Sequence, residues 1–127
     1  MKCKILLLAL AVGAVSCGGD AKTELFNGRD LTGWVCVTAG GPAAAEVFTV
    51  QDGCIRVAGQ PFGFLRTAEQ YGDYRLHAEW RWIGKPSNSG LFQRIQEGDE
   101  LWPSLIECQL ESGNAGDLLG LGGATMA

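Results

Sequence analysis

The sequence predicts an all-β protein, an antiparallel β-sandwich of the jelly-roll kind. Three observations predict it. Segments 74–82, 88–94 and 105–111 alternate between two residue classes with the period of two that a strand imposes on its faces. No segment after Gly18 holds a helical period over three turns. Turn signals recur at close intervals, and 19 glycines in 127 residues suit short strands joined by tight bends.

The first residues read as a leader. Lys2 and Lys4 precede an apolar run, 5–15, too short to span a bilayer comfortably. The run closes on Ala14-Val15-Ser16-Cys17, small residues before a cysteine. This resembles a bacterial lipoprotein site, although Ala14 stands where leucine is usual. The resemblance implies a signal over 1–16, cleavage before Cys17 and acylation of its thiol. It places the protein in the bacterial cell envelope, held to a membrane by lipid alone. An ordinary secretory signal with an incidental cysteine is the other reading. Residues 17–24 are small and polar, a tether. Residues 25–127 form the domain.

Within the domain, Asn27-Gly28 and Asp30 carry turn chemistry, and Trp34 opens a short strand to Val37. Residues 40–45 form a loop. Residues 46–51 read as a strand, Asp52-Gly53 as a hairpin turn, and 54–57 as the returning strand. After a turn over 59–64 come 65–67, then the long strand 74–82. A turn over 84–87 leads to a strand through 91–95, a polar loop over 96–103 and a last strand over 105–110. The stretch 116–127 is apolar and glycine-rich, and the strand count is short for a sandwich. The expectation is a domain incomplete at its C-terminus, with a sheet edge or inner face left uncovered.

Charge excludes some classes. The formal net charge is −4, and loss of Lys2 and Lys4 makes it −6. No basic run is present, so neither nucleic acid nor an anionic lipid surface is an expected partner. Beyond Cys3 and Cys17, three cysteines remain: Cys36, Cys54 and Cys108. One disulfide with a thiol left over is one outcome; three free thiols among apolar strand residues is the other. None of the spacings forms a zinc site.

In 74–82, Arg75, His77, Glu79 and Arg81 fall on the polar face, and in 105–111 the polar set is Glu107, Gln109 and Glu111, with Ile106 as an irregularity. If these strands are neighbours, their polar faces merge into one surface for a polar ligand. Glu79 and Glu107 are candidates for acid–base or metal-ligand work, or for pairing with arginine across a sheet. His77, the lone histidine, can be base, ligand or structural hydrogen-bonder. Arg81 and Arg94 suit oxygens or a developing anion. Asn88 and Gln109 suit hydroxyls, because an amide both donates and accepts. Trp102, in a loop beside Pro103, suits stacking on a sugar ring; Trp80 and Trp82 lie in the apolar phase and suit the core. Asp117 suits a turn.

The segments LFNGRDLTGW, FTVQDGCIRV, GFLRTAEQYGDYRLHAEWRW, NSGLFQR and WPSLIECQLESGNAGDL occur in an order and spacing that resemble the 3-keto-disaccharide hydrolase domain family, over roughly 25–123. The resemblance implies a concanavalin A-like jelly roll, longer than this chain, in secreted or lipid-anchored bacterial proteins that handle sugars. It implies an oxidised glycoside as substrate. A ketone at C3 acidifies the C2 hydrogen, a base removes it, the enolate expels the C1 group, and water can add back. The chemistry differs from hydrolysis by two carboxylates. The resemblance leaves a divalent metal open; it would polarise the ketone, and its ligands are not evident in the sequence. The alternatives are a non-catalytic glycan-binding lipoprotein and an inactive fragment.

Overall fold

The structure, a computed structural model, describes residues 5–14, 21–41, 46–96, 98, 100–126. It is all-β, with antiparallel sheets and no α-helix among the described residues, the architecture of a β-sandwich jelly roll. Ten strands are present among these residues: β1 (Ile5–Ala14), β2 (Ala21–Glu24), β3 (Trp34–Thr38), β4 (Phe48–Gln51), β5 (Cys54–Val57), β6 (Gly63–Thr67), β7 (Arg75–Trp82), β8 (Gly90–Gln93), β9 (Leu105–Gln109) and β10 (Leu118–Leu121). They form three sheets. The first runs β2-β1-β5-β4 with β7 also on β1, the second β10-β9-β8, and the third β3-β6.

Local chemistry sets the turns. Asp52 (φ 52°) and Gly53 (φ 73°) close the β4–β5 hairpin, with Gln51 opposite Cys54. Two successive positive φ values give the turn whose twist matches the strands it joins. At the other conspicuous turn, the Asn27 side-chain oxygen accepts from the backbone N–H of Arg29 (2.7 Å) and Asp30 (3.0 Å). Asn27 Nδ2 donates to Asp30 Oδ1 (2.8 Å), which also accepts from the Thr32 N–H (2.9 Å). The chain is folded back tightly enough for the Trp34 indole to donate to the Leu25 carbonyl at 3.0 Å. The LFNGRDLTGW segment is therefore a self-bonded turn.

The core gathers Phe26, Val37, Val47, Phe48, Cys54, Ile55, Phe64, Leu105 and Leu110. Phe64 of β6 and Phe92 of β8 meet at 5.7 Å between ring centroids, joining the two smaller sheets. Cys36, Cys54 and Cys108 are free thiols.

The apolar run 5–14 forms β1, and Ala21–Glu24 pairs with it through Ala11↔Glu24 to Ala14↔Ala21. Cys17 lies outside the described residues. The structure departs from expectation at two places. First, β7 does not join β8 and β9. It pairs with β1, so the polar faces do not merge. Second, β9 alternates strictly. Leu105, Glu107 and Gln109 share its buried face, and Ile106 and Cys108 point the other way. Ile106 is no irregularity; the polar residues simply sit on the inner side.

Candidate functional site

A cleft of about 1400 Å³ opens between the sheets. Its walls include Phe62 and Phe64, Tyr74 and Leu76, Asn88, Gly90, Phe92, Gln93, Arg94, Trp102 and Glu107. Glu107 is the decisive member. It is 9% exposed, and no described residue pairs or hydrogen-bonds with its carboxylate. Its cross-strand neighbours are Phe92 on β8 and Leu119 on β10. Directly opposed residues share a face of the sheet, so the carboxylate is flanked by two apolar side chains. Burial pushes the Glu107 carboxyl up from its ordinary value. The cause is desolvation, which disfavours the charged form.

Gly90 makes this placement sterically available. A β-carbon there would collide with the Glu107 carboxylate. In the register Gly90 is opposite Gln109 and one step diagonal from Glu107. Serine or alanine at position 90 would push the acid out of its place.

Arg94 follows β8 with φ 56°, a left-handed conformation uncommon outside glycine. Its guanidinium carbon lies 6.0 Å from the Tyr74 ring centroid, and Nη2 is 3.7 Å from an Asp73 carboxylate oxygen. Both charged side chains are exposed. The Tyr74 hydroxyl donates to Gln93 Oε1 at 2.7 Å, tying β7's start to β8. Trp102 is 56% exposed, and its ring centroid lies 6.5 Å from that of Phe92.

The structure thus brings Glu107, Asn88, Arg94 and Trp102 to one cleft. Gln109 is different. Its side-chain oxygen accepts the backbone N–H groups of Leu110 and Glu111, both at 3.0 Å, and it is buried. That oxygen holds the end of β9. His77, Glu79 and Arg81 do not line the cleft. In β7 they occupy the exposed phase, while Leu76 in the other phase faces the cleft. His77 Nε2 and Glu79 Oε1 approach at 3.4 Å, both well exposed. Arg81 lies in a separate shallow depression with Arg56, Gln51 and Asp52. Asp117 is exposed, and its backbone carbonyl accepts from the Gln109 N–H.

Among the described residues no three His, Cys, Asp or Glu side chains converge as ligands for a metal ion.

The aromatic walls were absent from the sequence reading. Phe62, Phe64 and Phe92 sit in turn or apolar-phase positions, where packing is the ordinary expectation. The one available signal was Phe62 in Gly59-Gln60-Pro61-Phe62-Gly63, a large apolar residue inside a turn.

Residues 21–126 match the model of the 3-keto-alpha-glucoside-1,2-lyase-like domain. The chain belongs to this family. No curated protein and no solved structure gives a match. The lyase-like domain therefore spans nearly all the described strands, with β2 to β10 inside the matched residues and β1 ahead of them.

Proposed function

We propose that this lyase-like domain cleaves 3-keto-glycosides, including 3-keto-disaccharides, by removing the C2 proton and expelling the C1 group. The observation that carries the reading is Glu107: a buried carboxylate without a charged partner among the described residues, facing an open cleft. A carboxylate denied water and counter-ion is a stronger base than one in solution. It accepts the C2 proton and becomes a neutral acid, the form its surroundings favour. The electron pair passes into the C3 ketone as an enolate. The enolate then re-forms the carbonyl, and the C1–O bond breaks to leave a C1=C2 double bond. Water adding at C1 completes a hydrolysis; release before that gives the lyase outcome.

Arg94, on the same cleft, is a cation suited to the enolate oxygen, because a guanidinium stays charged and donates in a fixed fork. Asn88 supplies hydroxyl recognition and Trp102 a stacking face. His77, Glu79 and Arg81, on the far side of β7, stay outside this mechanism, and Gln109 acts through the backbone.

The test is direct. The full-length chain is incubated with a 3-keto-glycoside and release of the C1 group is followed. Glu107→Gln keeps the shape and removes the base. Release by the parent, reduced by about 10²-fold or more in the variant, is expected. Unchanged turnover in the variant would remove Glu107 from the mechanism.

A second reading rests on Trp102, whose exposure suits a glycan-binding surface without catalysis. Binding of unoxidised sugar with no release from the keto-glycoside would favour it.

We further propose a lipid anchor at Cys17 after removal of residues 1–16, in the cell envelope. The support is the sequence Ala14-Val15-Ser16-Cys17 behind a charged, apolar start. Intact mass of envelope-purified protein decides it: an acylated chain beginning at Cys17 is expected, and a chain beginning at Met1 overturns the anchor.

A further inference from the structure

Resting on the elimination reading above, we infer that Tyr74 is a positioning residue for Arg94: it sets the direction from which the guanidinium meets the C3 oxygen of the substrate. Contacts from this one side chain to two consecutive residues carry the inference.

An arginine just past the end of a strand has many rotamers open to it, and ordering it costs entropy. Arg94 stands at such a place. β8 is an edge strand, it ends at Gln93, and the Arg94 side chain is exposed. Its backbone is nonetheless held in one uncommon state, φ 56°. A residue other than glycine keeps that conformation where its surroundings over-determine it, and such residues cluster at functional sites.

The surroundings here are specific. The Tyr74 hydroxyl donates to Gln93 Oε1 at 2.7 Å and fastens the residue before the turn. The Gln96 side-chain amide donates to the Arg94 carbonyl at 3.1 Å and closes the turn behind it. The Tyr74 ring lies 6.0 Å from the guanidinium carbon, a cation–π distance. Asp73 is the weaker hold: its carboxylate oxygen is 3.7 Å away and fully exposed, where an ion pair contributes little. Tyr74, by contrast, is half-buried and lines the cleft. It directly precedes β7, whose sheet is not the sheet of β8. The tyrosine therefore ties a side chain at the cleft's rim to a different sheet. A cation oriented before the enolate forms stabilises it without rearranging at the moment of reaction.

The experiment is a double-mutant cycle on a 3-keto-glucoside, with the full chain, Tyr74→Leu, Arg94→Gln and the two changes together. Tyr74→Leu is expected to lower kcat about fivefold or more, with KM changed less, and to have no further effect once residue 94 cannot carry charge. Tyr74→Phe, which keeps the ring and loses the hydroxyl, is expected between the parent and Tyr74→Leu. Asp73→Asn should stay within about twofold of the parent. An equal loss from Tyr74→Leu in both backgrounds overturns the inference, since a merely structural tyrosine lowers both alike. No loss in the parent background overturns it as well. A second readout needs no turnover. In chain carrying isotope-labelled arginine, the Arg94 Nε–H resonance should stand apart from those of the other exposed arginines and join them in Tyr74→Leu. A resonance already among them in the parent overturns the inference. No turnover by the parent, with that resonance set apart by Tyr74, overturns the elimination reading and leaves the hold on Arg94 standing.

Discussion

The Glu107 carboxylate lies in the space that a β-carbon on Gly90 would occupy. One residue's missing side chain thus sets another residue's position, across a ladder whose register places Phe92 opposite the acid. Gly90→Ala must either displace the carboxylate or part β8 from β9. Overpacking of this kind costs about 1–3 kcal/mol. Denaturant unfolding should report that loss, and keto-glycoside turnover should fall by more than the stability change explains.

Protonation of Glu107 links rate to pH. Its raised value means that the base is available only above the ordinary carboxylate range, so kcat/KM should climb through a pH higher than about 4.3. The same shift has a stability sign. A group whose folded value is raised contributes stability fully below its unfolded value, and loses it as pH rises through the folded value. Glu107→Gln, which cannot ionise, should therefore gain in Tm relative to the parent as pH rises from acid to neutral. A Tm difference flat with pH would contradict the burial argument.

Asp30 behaves in the opposite sense. The Asn27 side chain first, then the Thr32 N–H and hydroxyl, hold its carboxyl below the ordinary range. The stability it contributes is present above the unfolded value and lost as pH falls through the folded one. Asp30→Ala should lower Tm at neutral pH, with the gap narrowing as pH falls below the ordinary carboxylate range. Thermal melts at two pH values check this.

His77 and Glu79 form an exposed pair on the face of β7 turned from the cleft. Exposed pairs contribute about 0–1 kcal/mol. His77→Ala and Glu79→Gln should each keep kcat within about twofold of the parent. A large loss in either would move the base to β7.

Leu105, 1% exposed on β9's inner face, shares that face with Glu107. Leu105→Ala should cost about 2–5 kcal/mol and Ile55→Val about 0.5–1.5. Chevron or equilibrium denaturation measures both.

Local features were legible in the sequence. Asp52-Gly53 gave the hairpin because the turn's positive φ values are a property of those two residues. Glu107, Arg94, Asn88 and Trp102 were legible as polar or stacking groups within strand-and-turn segments. What could not be read was which strands adjoin. The 74–82 alternation marks a polar face, but pairing with β1 turns that face to solvent, and pairing among β8, β9 and β10 builds the cleft elsewhere. The phase of β9 was missed because Glu107 and Gln109 are polar residues on an inner face. Only the neighbours, Phe92 on one and two backbone N–H groups on the other, explain why they are there.

The place of β1 carries one more consequence. Within the large sheet, β7 draws its described ladder from β1, through Ile5↔Trp82 to Gly13↔Arg75, and β5 takes three residues of the same strand on its other side. A chain shortened to begin at residue 17 would keep β5 and β7 but lose the seam between them. Two raw edges would then face each other across a gap of about two strand spacings, or roughly 9.5 Å. Such edges recruit strands from whatever lies near. Self-association, read by sedimentation, would become a direct report of whether the N-terminus has been cut.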